Sequence, residues 1–236
     1  MADDTQVSSR DFAADGDMPG VLESVFKKLL QKTDGMLPAV VNSYDRRNNV
    51  ATVKPLIMIL GTEGATTPRP SYAKIPVLAH GGGGFYQQFP IKRGDFGWIE
   101  ASDRDISLFI QTEREAKPNT LRLHKFSDAR FIPDVFKKYT YDEADAENFV
   151  ISSLAGDIKI SVGPSGIKLI TDSGNESITM GAGKISIKAP TIELIDGSGT
   201  VITSSGGVVT INGIPWNSHK HGGVQTGLGL SGGPQA

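Results

Sequence analysis

Residues 157–211 read DIKISVGPSGIKLITDSGNESITMGAGKISIKAPTIELIDGSGTVITSSGGVVTI, and this stretch decides the fold. Apolar and polar residues alternate in short runs: Ile158-Lys159-Ile160-Ser161-Val162, Ile167-Lys168-Leu169, Ile178-Thr179-Met180, Ile185-Ser186-Ile187, Ile192-Glu193-Leu194, Val201-Ile202 and Val208-Val209-Thr210-Ile211. A period of two is the mark of β-strands. Successive runs begin seven to eleven residues apart, with Gly, Asp, Ser or Pro at nearly every break, so the segment is a repeat of very short strands.

Such a repeat has a burial problem. Each strand offers two or three apolar side chains on one face, and no amphipathic helix follows to cover them. Three chains wound together solve this, because the apolar faces meet on a common axis while Lys159, Lys168, Lys188 and Glu193 point outward. A single-chain right-handed β-helix is the competing arrangement. Its coils need about twenty residues each, which leaves only two or three coils here.

Downstream lies Trp216-Asn217-Ser218-His219-Lys220-His221-Gly222-Gly223, where two of the four histidines stand one residue apart. Alternate residues of an extended chain share a side, so His219 and His221 can present both imidazoles in one direction. Two nitrogens are too few for a stable metal site, but three chains offer six, which suits an octahedral ion better than tetrahedral zinc. His80 and His124 have no acidic or histidine neighbour at ligand spacing and read as ordinary hydrogen-bonded side chains.

Composition narrows the function classes. The 236 residues carry a formal charge of −2, so no charge-driven nucleic acid or anionic membrane partner is implied. The absence of cysteine excludes disulfides, thiolate metal sites and a cysteine nucleophile. The start, MADDTQVSSRDF, lacks a secretory signal pattern, and the longest apolar run, Leu56 to Leu60, is far too short to span a bilayer. Synthesis in the cytoplasm is expected. After Asp196 the only formally charged side chain is Lys220, which suggests a segment packed against copies of itself or one that enters a low-dielectric place.

The upstream region has a different pattern. Residues 1–19 read as an acidic arm, and Val21, Leu22, Val25, Phe26, Leu29 and Leu30 then recur at helical spacing before Gly35. The plain reading is a helix packed on the next domain, and the alternative is a helix that serves partner recognition. Strands follow over Leu37 to Tyr44, Val50 to Leu60, Ala73 to Ala79, Phe96 to Ala101 and Asp105 to Gln111, the first two forming a hairpin about Arg46-Arg47-Asn48-Asn49. About five strands in some eighty residues fit a small closed barrel of the OB type. Phe85, Tyr86 and Phe89 beside Lys92 and Arg93 are able to stack bases, but read as well as a barrel cap or a subunit contact, and no nucleic acid partner is expected. Residues 126–148 read as a connector, with a short helix or docking strap around Asp134 to Tyr139.

The expected architecture is therefore mainly β. Its parts are an arm and short helix (1–35), an OB-fold barrel (36–125), a connector (126–148), a trimeric β-helix shaft (149–213) and a metal-binding apex (214–236). No catalytic residue is assigned. Gly229-Leu230-Ser231-Gly232-Gly233 and Gly227-Leu228-Gly229-Leu230-Ser231-Gly232 match nucleophile-elbow and dinucleotide-loop strings, but neither is followed by a helical pattern. Asp172, Glu176, Glu193 and Asp196 show no spacing that requires two carboxyls across a glycan cleft.

The order of parts resembles the central membrane-piercing spike of contractile-tail bacteriophage baseplates, also called baseplate assembly protein V. The resemblance rests on VLAHGGGGFYQQFPIKRGDFGWIEA, on the short-strand repeat and on the ending INGIPWNSHKHGGVQTGLGLSGGP. It implies a non-enzymatic homotrimer at the tip of the tail baseplate, made in the host cytoplasm and carried in the virion. Its OB domains would attach to a baseplate hub protein and its shaft would cross the bacterial outer membrane. Its apex would hold one iron ion per trimer through six nitrogens from His219 and His221, and Ser231, Gly232 and Gly233 match the family's closing tail. No fused lysozyme domain is expected. A tail enzyme that degrades capsule or lipopolysaccharide glycan on a β-helix scaffold is the alternative.

Overall fold

A computed structural model describes residues 16, 18–61, 64–139, 142–171, 174–199, 201–216 and 218. The chain divides into two compact units, Met1–Lys138 and Tyr139–Ala236. Both are mainly β.

The N-terminal unit opens with helix α1 (Met18–Gln31) and continues into strands β1 (Met36–Asp45) and β2 (Val50–Pro55). Two-residue strands β3 (Ile59–Leu60) and β4 (Thr66–Thr67) form a side hairpin, followed by β5 (Tyr72–Pro76). A second side hairpin, β6 (His80–Gly82) and β7 (Phe85–Gln87), precedes β8 (Phe96–Ser102), helix α2 (Ser107–Thr112) and β9 (Lys125–Pro133). The main sheet has the order β5-β2-β1-β8-β9. Beyond β5, Val77 bridges Phe131 in parallel and the Leu78 amide donates to the Phe131 carbonyl at 2.8 Å, bringing the two edges together. The result is a near-barrel.

Alternation along the strands sends Ala39, Val41, Ala51, Val53, Ile75, Ile99, Phe126 and Phe131 inward, each at most 2% exposed. An extra residue in β1 between Val41 and Ser43 shifts the register against β2 and re-aims the strand's second half. Gly97 matters because a Cβ there would lie 2.3 Å from the Ile132 carbonyl oxygen and 2.5 Å from the Phe131 ring. Only glycine allows that ring to lie across β8.

Several sequence expectations change. Asp105 to Gln111, expected as a strand, is largely helical: the Asp105 carboxylate accepts from the Ser107 amide at 3.0 Å and starts the turn, and Glu113 ends it with φ of 52°. The same carboxylate, buried, accepts from Thr120 Oγ1 at 2.7 Å and from Arg122 Nη2 at 3.0 Å, and Arg122 also grips Asp128. This polar knot fixes the α2 to β9 crossing. Residues 126–148 are not a connector throughout, since β9 completes the main sheet and supplies its two largest buried side chains, Phe126 and Phe131. Their signal was masked by Asp128 and Arg130 between them. Asp134 to Lys138 forms a strap, not a helix, with Asp134 accepting from Trp98 Nε1 at 2.7 Å and the Phe136 ring 5.2 Å from Trp98. The aromatics after the glycine tract do not cap the barrel either: Phe85 and Tyr86 sit on the side hairpin at 84% and 71% exposure. Helix α1 fully buries none of its residues, where packing on the next domain was expected.

The C-terminal unit contains two antiparallel meanders. The first joins β10 (Phe149–Ser152), β11 (Lys159–Gly163), β12 (Gly166–Thr171), β13 (Glu176–Gly181) and β14 (Lys184–Lys188) in sequence order. The second joins β15 (Thr191–Ile195), β16 (Val201–Ser205), β17 (Val208–Ile211) and β18 (Ile214–Pro215) in the same way. Each strand pairs antiparallel with its neighbour in sequence, so the parallel coils of a single-chain β-helix do not form.

Replacement Gly97→Ala is expected to destabilise the N-terminal unit by about 1–3 kcal/mol through overpacking against Phe131. Denaturant unfolding followed by tryptophan fluorescence measures it, and an unchanged midpoint would contradict the close packing.

Candidate functional site

Directly opposed residues of an antiparallel pair project to the same face. In the first meander one file of such partners is Ile151, Ile160, Leu169, Ile178 and Ile187, and the adjacent file is Phe149, Val162, Ile167, Met180 and Ile185. All ten are apolar, and each is at least 36% exposed. The opposite face carries Val150, Ser161, Lys168, Thr179 and Ser186 in one file and Ser152, Lys159, Ile170, Ser177 and Lys188 in the next. The second meander repeats the design with Leu194, Ile202, Ile211 and Ile214 in one file.

The chain covers the polar side instead. A 3-10 turn at Glu143–Asp145 lies over β11, where Asp145 Oδ2 is 2.6 Å from Lys159 Nζ and its Oδ1 accepts from Ser161 Oγ at 2.7 Å. Asn148 Nδ2 donates to both Asp145 and Ser161, and Asp142 adds a second contact to Lys159 at 3.2 Å. Ser161 is thereby 2% exposed while its neighbours Ile160 and Val162 are about 40% exposed. The Lys159 ammonium, then the Asn148 and Ser161 hydrogen bonds, hold the Asp145 carboxyl well below the usual carboxylate range. The Lys159 ammonium is raised by the same partner.

Lys159, Lys168, Lys188 and Glu193, expected to point outward, all lie opposite the apolar files. Phe149 and Ile151, at the head of the segment expected as the shaft, extend the apolar face by one strand.

His219 and His221 lie outside the described residues, as does Asp172. His80 is exposed on its hairpin, and His124 Nδ1 is 3.6 Å from an Asp103 carboxylate oxygen. Among the described residues no group of three or more His, Asp or Glu side chains is gathered as metal ligands would be. Glu176 accepts from Thr171 Oγ1 at 2.7 Å, and Asp196 accepts from the Ser198 amide at 2.8 Å. Both carboxylates are engaged in local turn structure.

An exposed apolar face thus runs through every strand of the first meander. The comparisons with known families agree at both ends of the chain. Residues 37–134, the span from β1 to β9, match the phage protein Gp138 N-terminal domain, and residues 217–235, which include both tail histidines, match the GpV Apex motif. No curated protein matches the chain. Both matches are to phage proteins, and together they support a phage baseplate spike protein of the gpV and Gp138 type.

Because the folded Asp145 carboxyl titrates lower than the unfolded one, its stabilisation is full above about pH 4 and is lost as pH falls below that value. Melting temperature is expected to drop on acidification from about pH 5 to 2, and Asp145→Asn to remove part of that drop while lowering stability at neutral pH. An acid limb unaltered in Asp145→Asn would contradict this account.

Proposed function

We propose that three copies of this chain form a non-enzymatic spike at the tip of a contractile phage tail and that this spike pierces the bacterial outer membrane. The observation that carries the reading is the ten-residue apolar face of the first meander. Removing ten half-exposed side chains of this size from water is worth roughly 10 kcal/mol per chain, taking about 1 kcal/mol for each. That is comparable to the roughly 4–15 kcal/mol cost of association, so the strands gain most when three faces close on one axis.

In this arrangement the C-terminal meanders become an intertwined β-helical shaft, with the lysine-bearing faces outside. The N-terminal near-barrel is read as an OB-type domain, since β1, β2, β5, β8 and β9 form the five-stranded sheet and the segment after β5 meets β9 in parallel. It would seat the spike on the baseplate hub. The match to phage spike domains at both ends supports a mechanical part rather than a catalyst.

At the apex, His219 and His221 supply two imidazoles per chain. The donor set fits one iron ion shared by three chains, because six neutral nitrogens satisfy an octahedral borderline metal and no thiolate competes. When bound, the metal would supply a crosslink between chain ends. The chain's own part would be to offer both imidazoles from alternate positions, in a tail whose one formal charge after Asp196 is Lys220 between them. Force applied along the shaft then meets joined ends instead of three separate strands.

Sedimentation is expected to give a particle of three times 25.1 kDa. Ile178→Lys, at the centre of the apolar face, should abolish that particle, whereas Thr179→Lys, one residue along on the outer face, should leave it intact. Equal behaviour of the two variants would defeat the reading. Elemental analysis should find about one iron per three chains, lost in the His219→Ala, His221→Ala double variant while the trimer persists; sugar release from purified surface glycan would instead favour the tail enzyme.

A further inference from the structure

Helix α1 is amphipathic, yet none of its apolar side chains is buried. Leu22, Val25 and Leu29 are 55%, 48% and 57% exposed, and Met18 extends the same stripe at 72%. On the other side Glu23 and Lys27 pair at 2.8 Å. The sheet does not leave the helix free to fold back, because its exit is tied down within a few residues. Lys125 Nζ donates to the Lys32 carbonyl at 3.1 Å, the Asp34 amide to the His124 carbonyl at 3.0 Å, and the Ala101 amide to the Gly35 carbonyl at 2.9 Å. The Asp34 carboxylate also accepts from Arg69 Nη1 at 2.9 Å and from the Phe126 amide at 3.2 Å. An apolar helix leaves the sheet from a fixed point.

Three features decide what covers it. Met18, Leu22, Val25 and Leu29 follow the alternating four-three spacing of a heptad seam, and none is charged. Leucine at one seam position with β-branched Val25 at the other favours more than two strands. At 14 residues the helix is at the roughly 12–15-residue limit below which isolated helices are marginal, so its bundle requires partners held nearby. A shaft-linked trimer supplies two further copies of α1 at high effective concentration.

We propose that the α1 helices of three copies pack as a parallel three-helix bundle through Met18, Leu22, Val25 and Leu29. This rests on the trimer proposed above and adds a second, separate trimer contact in the N-terminal unit. The bundle would hold the three N-terminal units together independently of the shaft.

The chain contains no cysteine, so single substitutions report cleanly. Under mild oxidation of the full-length protein, Val25→Cys should give a covalent dimer from two of the three chains, and Ser24→Cys on the opposite helix face should give little. A protein that sediments as a trimer but shows no greater crosslinking at Val25→Cys than at Ser24→Cys overturns the bundle and leaves the shaft trimer standing. Crosslinking of Val25→Cys to a second cysteine at Ile57→Cys, in preference to itself, overturns it in favour of the neighbouring sheet as occupant. A monomeric protein overturns both readings.

Discussion

The structure of the C-terminal unit depends on one constraint: antiparallel register lines up two apolar side chains from each of five successive strands on a single face. A slip of one residue in any strand would move its apolar pair to the lysine side. The turns prevent this. A Cβ on Gly166 would lie 1.9 Å from the Met180 carbonyl oxygen, and one on Gly181 2.3 Å from the Ser165 carbonyl oxygen, so both glycines lock the ends of β12 and β13 in place. At the first strands, the Asp145, Asn148 and Ser161 network fixes the outer side before any apolar contact is needed. The exposed face is thus a consequence of well-determined register, not of loose folding.

The two units meet the same difficulty in different ways. In the N-terminal unit the sheet bends until its edges meet, and Phe126 and Phe131 fill the interior at 0% exposure. The C-terminal strands are four to six residues long in the first meander, and each turn returns the chain directly to the adjacent strand. Among the described residues no second layer covers the apolar face of this ribbon. Burying Ser161 while leaving ten larger aliphatic and aromatic side chains at least 36% exposed reverses the usual order of burial.

Much of this was legible in the sequence because it depends on period. The Ile-Lys-Ile-Ser-Val type of alternation gives strand, face and turn together, and from these the uncovered apolar side follows. What failed depended on tertiary partners. Ile106, Leu108 and Ile110 alternate as a strand would, but the Asp105 carboxylate, held by Thr120 and Arg122 from a later loop, starts a helix there. Phe126 and Phe131 stand five residues apart with charges between, and an irregularity at Ala101 and Ser102 in the pairing of β8 with β9 breaks the simple alternation that would have marked the strand. The tail histidines were legible as a donor pattern, which is a statement about chemistry and not about position.

Charge along the chain follows the same logic as burial. Lys168, Lys184 and Lys188 all lie on the outer face of the first meander, where water solvates them at no cost to packing. In the second meander the side away from the Leu194 file carries Thr203 and Thr210 beside Glu193, so hydroxyls begin to replace ammonium groups there. Beyond Asp196 only Lys220 is charged. Moving a charged group out of water costs far more than moving a hydroxyl whose hydrogen bonds are made within the protein. The chain thus loses formal charge toward its C-terminal end, and its last forty residues are the part for which leaving water would carry the smallest electrostatic cost.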